Sequence, residues 1–404
     1  MKPEIRFPEF KDEWQKNNLS ELLVEHKVRN SKLLYNEVFS VAKEKGVINQ
    51  IEHLGRSYAS EDLSNYKVVF PFDIIYTKSP TASFPFGIIK QNKTGRSGIV
   101  SVLYAVFKPK NNELGALIDL YFSLASNTFN YLVPLVHKGA KNTMNISNDE
   151  FLLGEKLALP KDKNEQIKIV EFFNKLNNRI EQLRSKKTKL EKYRSGIEQD
   201  IFKRKLRFKN NSGQQFPTWE TRKVKELLKR YSNPVEIEKD RIYKEIGIRS
   251  HGKGIFYKDT VKGLDIGNKR VYWIKENMLI MNIVFAWERA VAKTSIKDVG
   301  LIASHRFPMY EPIKGILDLD YILHFFLSPK GEYLLKIASP GGAGRNKTLG
   351  RNEFENLKLI IPSVEEQTKI ANFLSAIDKK INHCQQQIEK TEQWKKGLLQ
   401  KMFV

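Results

Sequence analysis

Apolar residues recur at positions 169, 173, 176, 180, 183, 190, 197 and 201, mostly three or four apart, and the spacing returns at 370, 374, 377, 381, 384, 388, 398 and 402. This pattern predicts two long helices, each with a coiled-coil seam. The first seam comprises Ile169, Phe173, Leu176, Ile180, Leu183, Leu190 and Ile197; the second comprises Ile370, Leu374, Ile377, Ile381, Ile388 and Leu398. Pro160 and Pro362 precede the helices, where a missing N–H costs nothing, and Glu165 and Glu366 suit the positive end of a helix. From Asn164 to Leu206 is about 43 residues, or roughly 64 Å of helix. Cys384 fits the second seam as a small apolar residue.

The remaining chain alternates over shorter runs. Val38 to Val41, Tyr66 to Tyr76, Phe86 to Ile89 and Gly98 to Phe107 read as strands between Gly, Pro, Asn and Lys turns. Further on, Glu245 to Ile248, Val271 to Ile274 and Met278 to Val284 read as strands, and Leu319 to Leu335 as a helical stretch. Each long helix thus follows a mixed α+β globule.

The halves are a tandem duplication. Leu159-Pro160 with Asn164-Glu165-Gln166-Ile167-Lys168-Ile169 returns as Ile361-Pro362 with Glu365-Glu366-Gln367-Thr368-Lys369-Ile370. Tyr193 then meets Trp394, Gly196 meets Gly397, and Ile201-Phe202 meets Met402-Phe403. Upstream, Trp14 and Leu22-Leu23 meet Trp219 and Leu227-Leu228. The expected division is 1–158 first globule, 159–206 first long helix, 207–361 second globule and 362–404 second long helix. Lys187 faces the place of Ile388, Leu190 that of Thr391 and Leu183 that of Cys384, differences that suggest the seams pack on each other. The globules match only at their edges, so they are expected to recognise different things.

Charge narrows the partners. The 404 residues carry 69 Lys and Arg against 46 Asp and Glu, a net charge of +23, with a 41% hydrophobic fraction that keeps the chain globular. A large basic globule calls for an anionic partner, and nucleic acid leads. One cysteine excludes an intramolecular disulfide framework and a multi-cysteine zinc site. No apolar run is long enough for a membrane span, and Met1-Lys2-Pro3-Glu4 lacks a signal-peptide core, so a cytoplasmic location without membrane is expected.

No motif carries chemistry. Gly247 to Gly254 nearly spells a phosphate-binding loop, but Gly254 stands where a Ser or Thr hydroxyl should hold magnesium, and Ile255-Phe256-Tyr257 reads as strand; a basic glycine-rich hairpin is the simpler reading. Asp12 with Glu25-His26-Lys27 has the loose form of a magnesium nuclease site, but the stretch from Asn18 to Arg29 is more simply a solvated helix face. Asn233-Pro234-Val235 lacks the second proline and the ring of a base-methylating motif. The seven histidines show no metal-ligand spacing, so neither a metal nor a cofactor is expected in this chain. The sequons Asn92-Lys93-Thr94 and Asn346-Lys347-Thr348 read as loops.

Basic residues in turn-rich segments are the candidate DNA contacts: Lys78, Lys90, Lys93, Arg96, Lys138, Lys141, Arg249, Lys253, Arg289, Arg345 and Lys347. Long cationic side chains beside glycines can approach phosphates closely, and arginine can fork onto guanine. A second cluster, Arg184, Lys186, Lys187, Lys189, Lys192, Arg194, Lys203-Arg204-Lys205 and Arg207, could line DNA, bind an acidic partner protein or solvate the helix.

Two unlike globules, each followed by a near-identical Leu/Ile-Pro-x-x-x-x-Glu-Gln-x-x-Ile segment and a long heptad helix, resemble the specificity subunit of type I restriction-modification systems. The Arg6-Phe7-Pro8-Glu9-Phe10 opening and the stretch from Gly341 to Leu349 are also similar to that family. The resemblance implies two pseudo-two-fold-related mixed α/β target recognition domains joined by two long antiparallel coiled-coil helices. It implies double-stranded DNA, two methyltransferase (modification) subunits and restriction subunits as partners, with S-adenosylmethionine, ATP and magnesium on those partners. Two other classes stay open on the residues alone, a stand-alone DNA enzyme and a coiled-coil scaffold without a nucleic-acid role.

Overall fold

The computed structural model describes residues 3–138, 144–341 and 347–403. The chain divides into two compact units, one of residues 1–184 and 386–404, the other of 185–385. Two long helices cross that division. The first spans Lys163–Phe202 and the second Val364–Met402. Each unit therefore contains one globule, half of one long helix and half of the other.

In the first unit, Leu23–Glu25, Ala105–Pro109, Ile74–Tyr76 and Ile89–Gln91 form an antiparallel four-stranded sheet in that spatial order. A second ladder, Gln15–Asn17 with Leu157–Leu159, brings the two ends of the globule together beside the helix start. The core gathers Ile74, Tyr76, Phe107, Leu117, Phe122 and Phe151 around Ile169, Phe173 and Leu176 of the first long helix and Leu399, Met402 and Phe403 of the second. The start of one helix thus meets the end of the other, so they run antiparallel. Ile180, Leu183 and Ile388 close a further seam layer.

The second unit repeats this plan. Leu228–Tyr231, Met309–Pro312, Leu279–Met281 and Val291–Lys293 form a four-stranded sheet with the same connectivity. Glu220–Lys223 pairs with Lys358–Ile361 at the globule's ends. Ile201 and Phe202 from the end of the first helix join Ile370, Ala371 and Leu374 from the start of the second in one core. An additional sheet, ordered Ile255–Lys262, Ile242–Ile248, Ile302–Ser304 and Val271–Trp273, has no four-stranded counterpart among the described residues of the first unit. Beneath faint sequence similarity the globules share a sheet and differ in what is added to it.

The predicted seam residues are buried at Ile169, Phe173, Leu176, Ile180, Leu183, Ile370, Leu374, Ile377 and Ile388, and half-buried at Leu190, Ile197, Ile381 and Leu398. Each side chain removed fully from water contributes about 1.5–3 kcal/mol. Leu399 rather than Leu398 is the buried residue near the end of the second helix, 3% exposed. Cys384 is buried and unpaired.

Several predicted boundaries move. The first helix stops at Phe202 rather than Leu206, because Arg204 turns into the left-handed region (φ 62°) and the Lys205 amide returns to the Asp200 carbonyl. Tyr66 to Tyr76 is two strands, Lys67–Val69 and Ile74–Tyr76, separated around Pro71 and Phe72, the latter at φ 71°. Leu319 to Leu335 is two helices, Leu319–Leu327 and Pro329–Ile337. Ser328 is extended and its hydroxyl accepts from the Gly331 amide, restarting the helix at a proline that has no N–H to donate.

Candidate nucleic-acid interface

Each globule is fastened to its long helix by the same three residues. Glu165 is fully buried and receives both prongs of the Arg6 guanidinium, at 2.6 and 2.7 Å, and the Trp14 indole N–H at 3.1 Å. In the other unit Glu366, also fully buried, receives Arg207 at 3.2 and 2.7 Å and the Trp219 indole at 3.2 Å. The glutamine that follows turns back in both cases, Gln166 to the Pro160 carbonyl at 2.8 Å and Gln367 to the Pro362 carbonyl at 2.9 Å. A buried carboxylate is tolerated because two charge-assisted hydrogen bonds and an indole replace its lost water. Around each clasp an aromatic edge contact forms, Phe7 with Phe172 and Phe208 with Phe373. The repeated Pro…Glu-Gln signature is therefore a mounting.

The basic candidates divide by environment. Lys78 lies at φ 55° and donates to the Ile146 carbonyl at 2.7 Å; burial, then nearby Lys67, pulls its pKa down. Lys90 is buried 3.4 Å from Asp119, and Lys93 is 2.6 Å from the same carboxylate with its side chain 39% exposed. Arg96 pairs with Glu37 at 2.9 Å and remains half in solvent. Lys138 lies in the strand His137–Lys138, and Lys141 and Arg345 fall outside the described residues.

The glycine-rich stretch is the tip of a β-hairpin between Ile242–Ile248 and Ile255–Lys262, as its chemistry suggested. The Arg249 amide donates to the Gly254 carbonyl, and His251, Gly252 and Gly254 all have positive φ. A Cβ at Gly247 would lie 2.3 Å from the Phe256 ring, so the glycine admits that ring, and the exposed Arg249 guanidinium lies 4.8 Å from its centre. Lys253 is exposed at the tip. Behind it is a cavity of about 300 Å³ lined by Gly252, Tyr257, Val291, Lys293, Asp298 and Leu327 among others.

Arg289 is half-buried at φ 60°, donating to the Leu327 carbonyl at 3.2 Å and facing Glu332 at 3.2 Å. It is a bracing residue more than an open contact. Lys347 lies 5.6 Å from the Trp287 ring. Arg241, absent from the sequence-derived candidates, stacks near both Tyr243 and Trp273 at 5.5 and 5.2 Å. Its partners are 2 and 32 residues away, so only the fold brings the three together.

The basic cluster on the first helix also splits. Arg184 reaches Glu392 at 2.5 Å, Lys187 donates to Gln385 at 2.9 Å, and Arg194 binds Asp378 at 2.5 Å and Glu198 at 2.9 Å. Beside Arg194, His324 is buried, 3.1 Å from the Ser375 hydroxyl; burial, then Arg194, lowers its pKa. Arg184, Lys187, Arg194 and Arg207 thus tie helices and globules within their units. Lys186, Lys189 and Lys192 remain exposed.

Among the described residues no group of three or more His, Cys, Asp or Glu could hold a metal ion. Asp12 and the Glu25-His26-Lys27 run do not form such a group; Glu25 instead accepts from Asn148 at 2.8 Å and Leu23–Glu25 is a strand, not a helix face. Among those residues no helix is long and apolar enough to cross a membrane.

Residues 217–393 match the family described as type I restriction modification DNA specificity domain. A Methanocaldococcus jannaschii protein assigned as the MjaX type I restriction enzyme specificity subunit is 26% identical over 200 residues, 46% of this chain and 45% of its own. The MjaVIII specificity subunit of that organism is 30% identical over 142 residues, 35% of this chain and 31% of its own. The matches therefore span less than half of these relatives. Among solved structures, the S subunit of a type I restriction-modification system from M. genitalium aligns over 100% of this chain and 99% of its own, with a TM-score of 0.59 and 11% identity. A chain from a study of type I complex assembly and conformational transition aligns over 98% of both, with a TM-score of 0.52 and 14% identity. At such identities the likeness is one of fold.

Proposed function

We propose that this chain is a specificity subunit of the type I restriction-modification family whose model matches its second half, and that it reads an asymmetric, interrupted DNA target with its two globules. In this reading the first globule recognises one half of the site, the second globule the other, and the long helices set the unread gap between them. The chain has no chemistry of its own. It directs two adenine-methyltransferase subunits and the restriction subunits to the site from within the cytoplasm, and S-adenosylmethionine, ATP and magnesium act on those partners.

The observation that carries the reading is the combination of identical mounting with unlike heads. Arg6-Glu165-Trp14 and Arg207-Glu366-Trp219 fix the same four-stranded sheet to each helix, while the second globule alone among the described residues adds the sheet whose hairpin presents Arg249 and Lys253. Unlike heads on like mounts suit unlike half-sites. The net charge of +23 supplies the phosphate attraction such a reader needs.

A salt titration of the purified chain on duplex DNA tests the reading. With six to ten phosphate contacts, affinity should fall by about 10³–10⁵ between 50 and 200 mM salt. A flat response would favour a scaffold, and turnover of DNA by the chain alone would favour an enzyme.

A further inference from the structure

The hairpin of the second globule presents a guanidinium that no carboxylate neutralises. Of the other arginines with candidate DNA roles, Arg96 is paired with Glu37 at 2.9 Å and Arg289 faces Glu332 at 3.2 Å. Arg241 stacks on two rings but is tied to Glu238 at 2.9 Å. The exposed Arg249 side chain makes no hydrogen bond or ion pair among the described residues, and lies 4.8 Å from the centre of the half-buried Phe256 ring. A guanidinium over a ring uses its face there and keeps its in-plane N–H donors for a ligand.

The seat beneath Arg249 is built by the pairing of the hairpin. Phe256 stands opposite Gly247 in the antiparallel register, and a Cβ at Gly247 would lie 2.3 Å from its ring. Glycine there lets the ring lie across the hairpin toward Arg249.

The turn is fixed as firmly as the ring. The Arg249 amide donates to the Gly254 carbonyl at 3.0 Å, while the His251 and Gly252 amides donate to the Glu288 and Arg289 carbonyls at 2.7 and 3.1 Å. The Ser250 hydroxyl adds a bond to the Glu288 carboxylate at 2.8 Å. Every residue from 249 to 252 is thus held. A phosphate accepts a point charge from many directions, but the O6 and N7 acceptors of guanine need a planar fork in one orientation. An arginine held in advance loses less freedom on binding. The arrangement suits a base more than a phosphate.

We propose that Arg249 is a specificity-determining residue of the second globule, donating with both prongs to O6 and N7 of one guanine in the major groove, and that Phe256 is its positioning residue. The proposal rests on the DNA-reading function above and assigns one base contact within it.

The test selects duplexes from a randomised pool with the full chain, then measures affinity for the selected duplex and its single-pair variants across salt. One half of the wild-type consensus should contain a guanine whose replacement lowers affinity about ten-fold or more. Arg249→Lys keeps the charge but not the fork. It should retain the salt slope and thermal midpoint and lose the preference at that one position, with the other half-site unchanged. Phe256→Leu should weaken the same preference by about two- to five-fold, and Phe256→Tyr, which keeps the ring, should restore it. A consensus and preferences unchanged in Arg249→Lys would overturn the assignment. So would an Arg249→Ala variant that binds every sequence more weakly by the same factor, with a salt slope shallower by about one, because that is the signature of a phosphate contact. A loss in Phe256→Leu that is uniform over all positions, or no loss, would overturn the positioning role. A wild type that selects no consensus would instead remove the DNA-reading function itself.

Discussion

Arg207→Ala is expected to destabilise the second unit by about 3–5 kcal/mol, the cost of leaving a fully buried carboxylate without its cation. Glu366 has no exposed surface to recover hydration, and the Trp219 indole at 3.2 Å supplies one neutral donor in place of a two-pronged guanidinium. Arg6→Ala should do the same to the first unit through Glu165, which is equally buried. Chemical denaturation followed by tryptophan fluorescence reads both, since Trp14 and Trp219 lie in the two clasps. The paired change Arg207→Met with Glu366→Met should recover most of the loss, because an apolar pair carries no unmet charge. A loss below about 1 kcal/mol in Arg207→Ala, the range of exposed ion pairs, would show that the clasp does not hold the globule.

Lengthening both long helices by one heptad is expected to widen the unread gap in the DNA target by about three base pairs, since seven helical residues add roughly 10.5 Å and B-DNA rises about 3.4 Å per pair. The insertions belong at the division between the compact units, after Arg184 in the first helix and after Gln385 in the second. There they leave the internal contacts of each unit in place, and seven residues keep the seam in phase. The readout is methylation of duplexes with graded gaps by the assembled complex. Unchanged half-sites with a longer gap support a ruler; altered half-sites or an unmoved gap contradict it.

Much of this fold was legible because its strongest signal is periodic. The 4-3 spacing and the duplication located both long helices and their starts, and the Pro…Glu-Gln repeat marked the clasps without revealing their purpose. That purpose needed Arg6 to reach Glu165 across 159 residues, and Arg207 to reach Glu366 across the same separation. Short strands were harder. Phe72 at positive φ divides what alternation reads as one strand, and Ser328-Pro329 divides what periodicity reads as one helix.

The candidate site was less legible, since a lysine beside glycine looks the same in sequence whether it meets solvent or a carboxylate. Lys90 is buried against Asp119, whereas Lys253 is open at a hairpin tip. Arg194 and Arg207 read as one basic cluster but bind Asp378 and Glu366, on the other long helix. Local composition reports the charge of a segment, and tertiary pairing decides which of those charges remain available.

Mapping methylated adenines across the genome, in cells with this chain and in cells lacking it, tests the central claim most directly. The expected result is one set of methylated sites, present only with the chain, whose consensus has two unlike halves around a fixed unread gap. Methylation that persists unchanged without the chain, or a consensus with a single undivided or repeated motif, would contradict it.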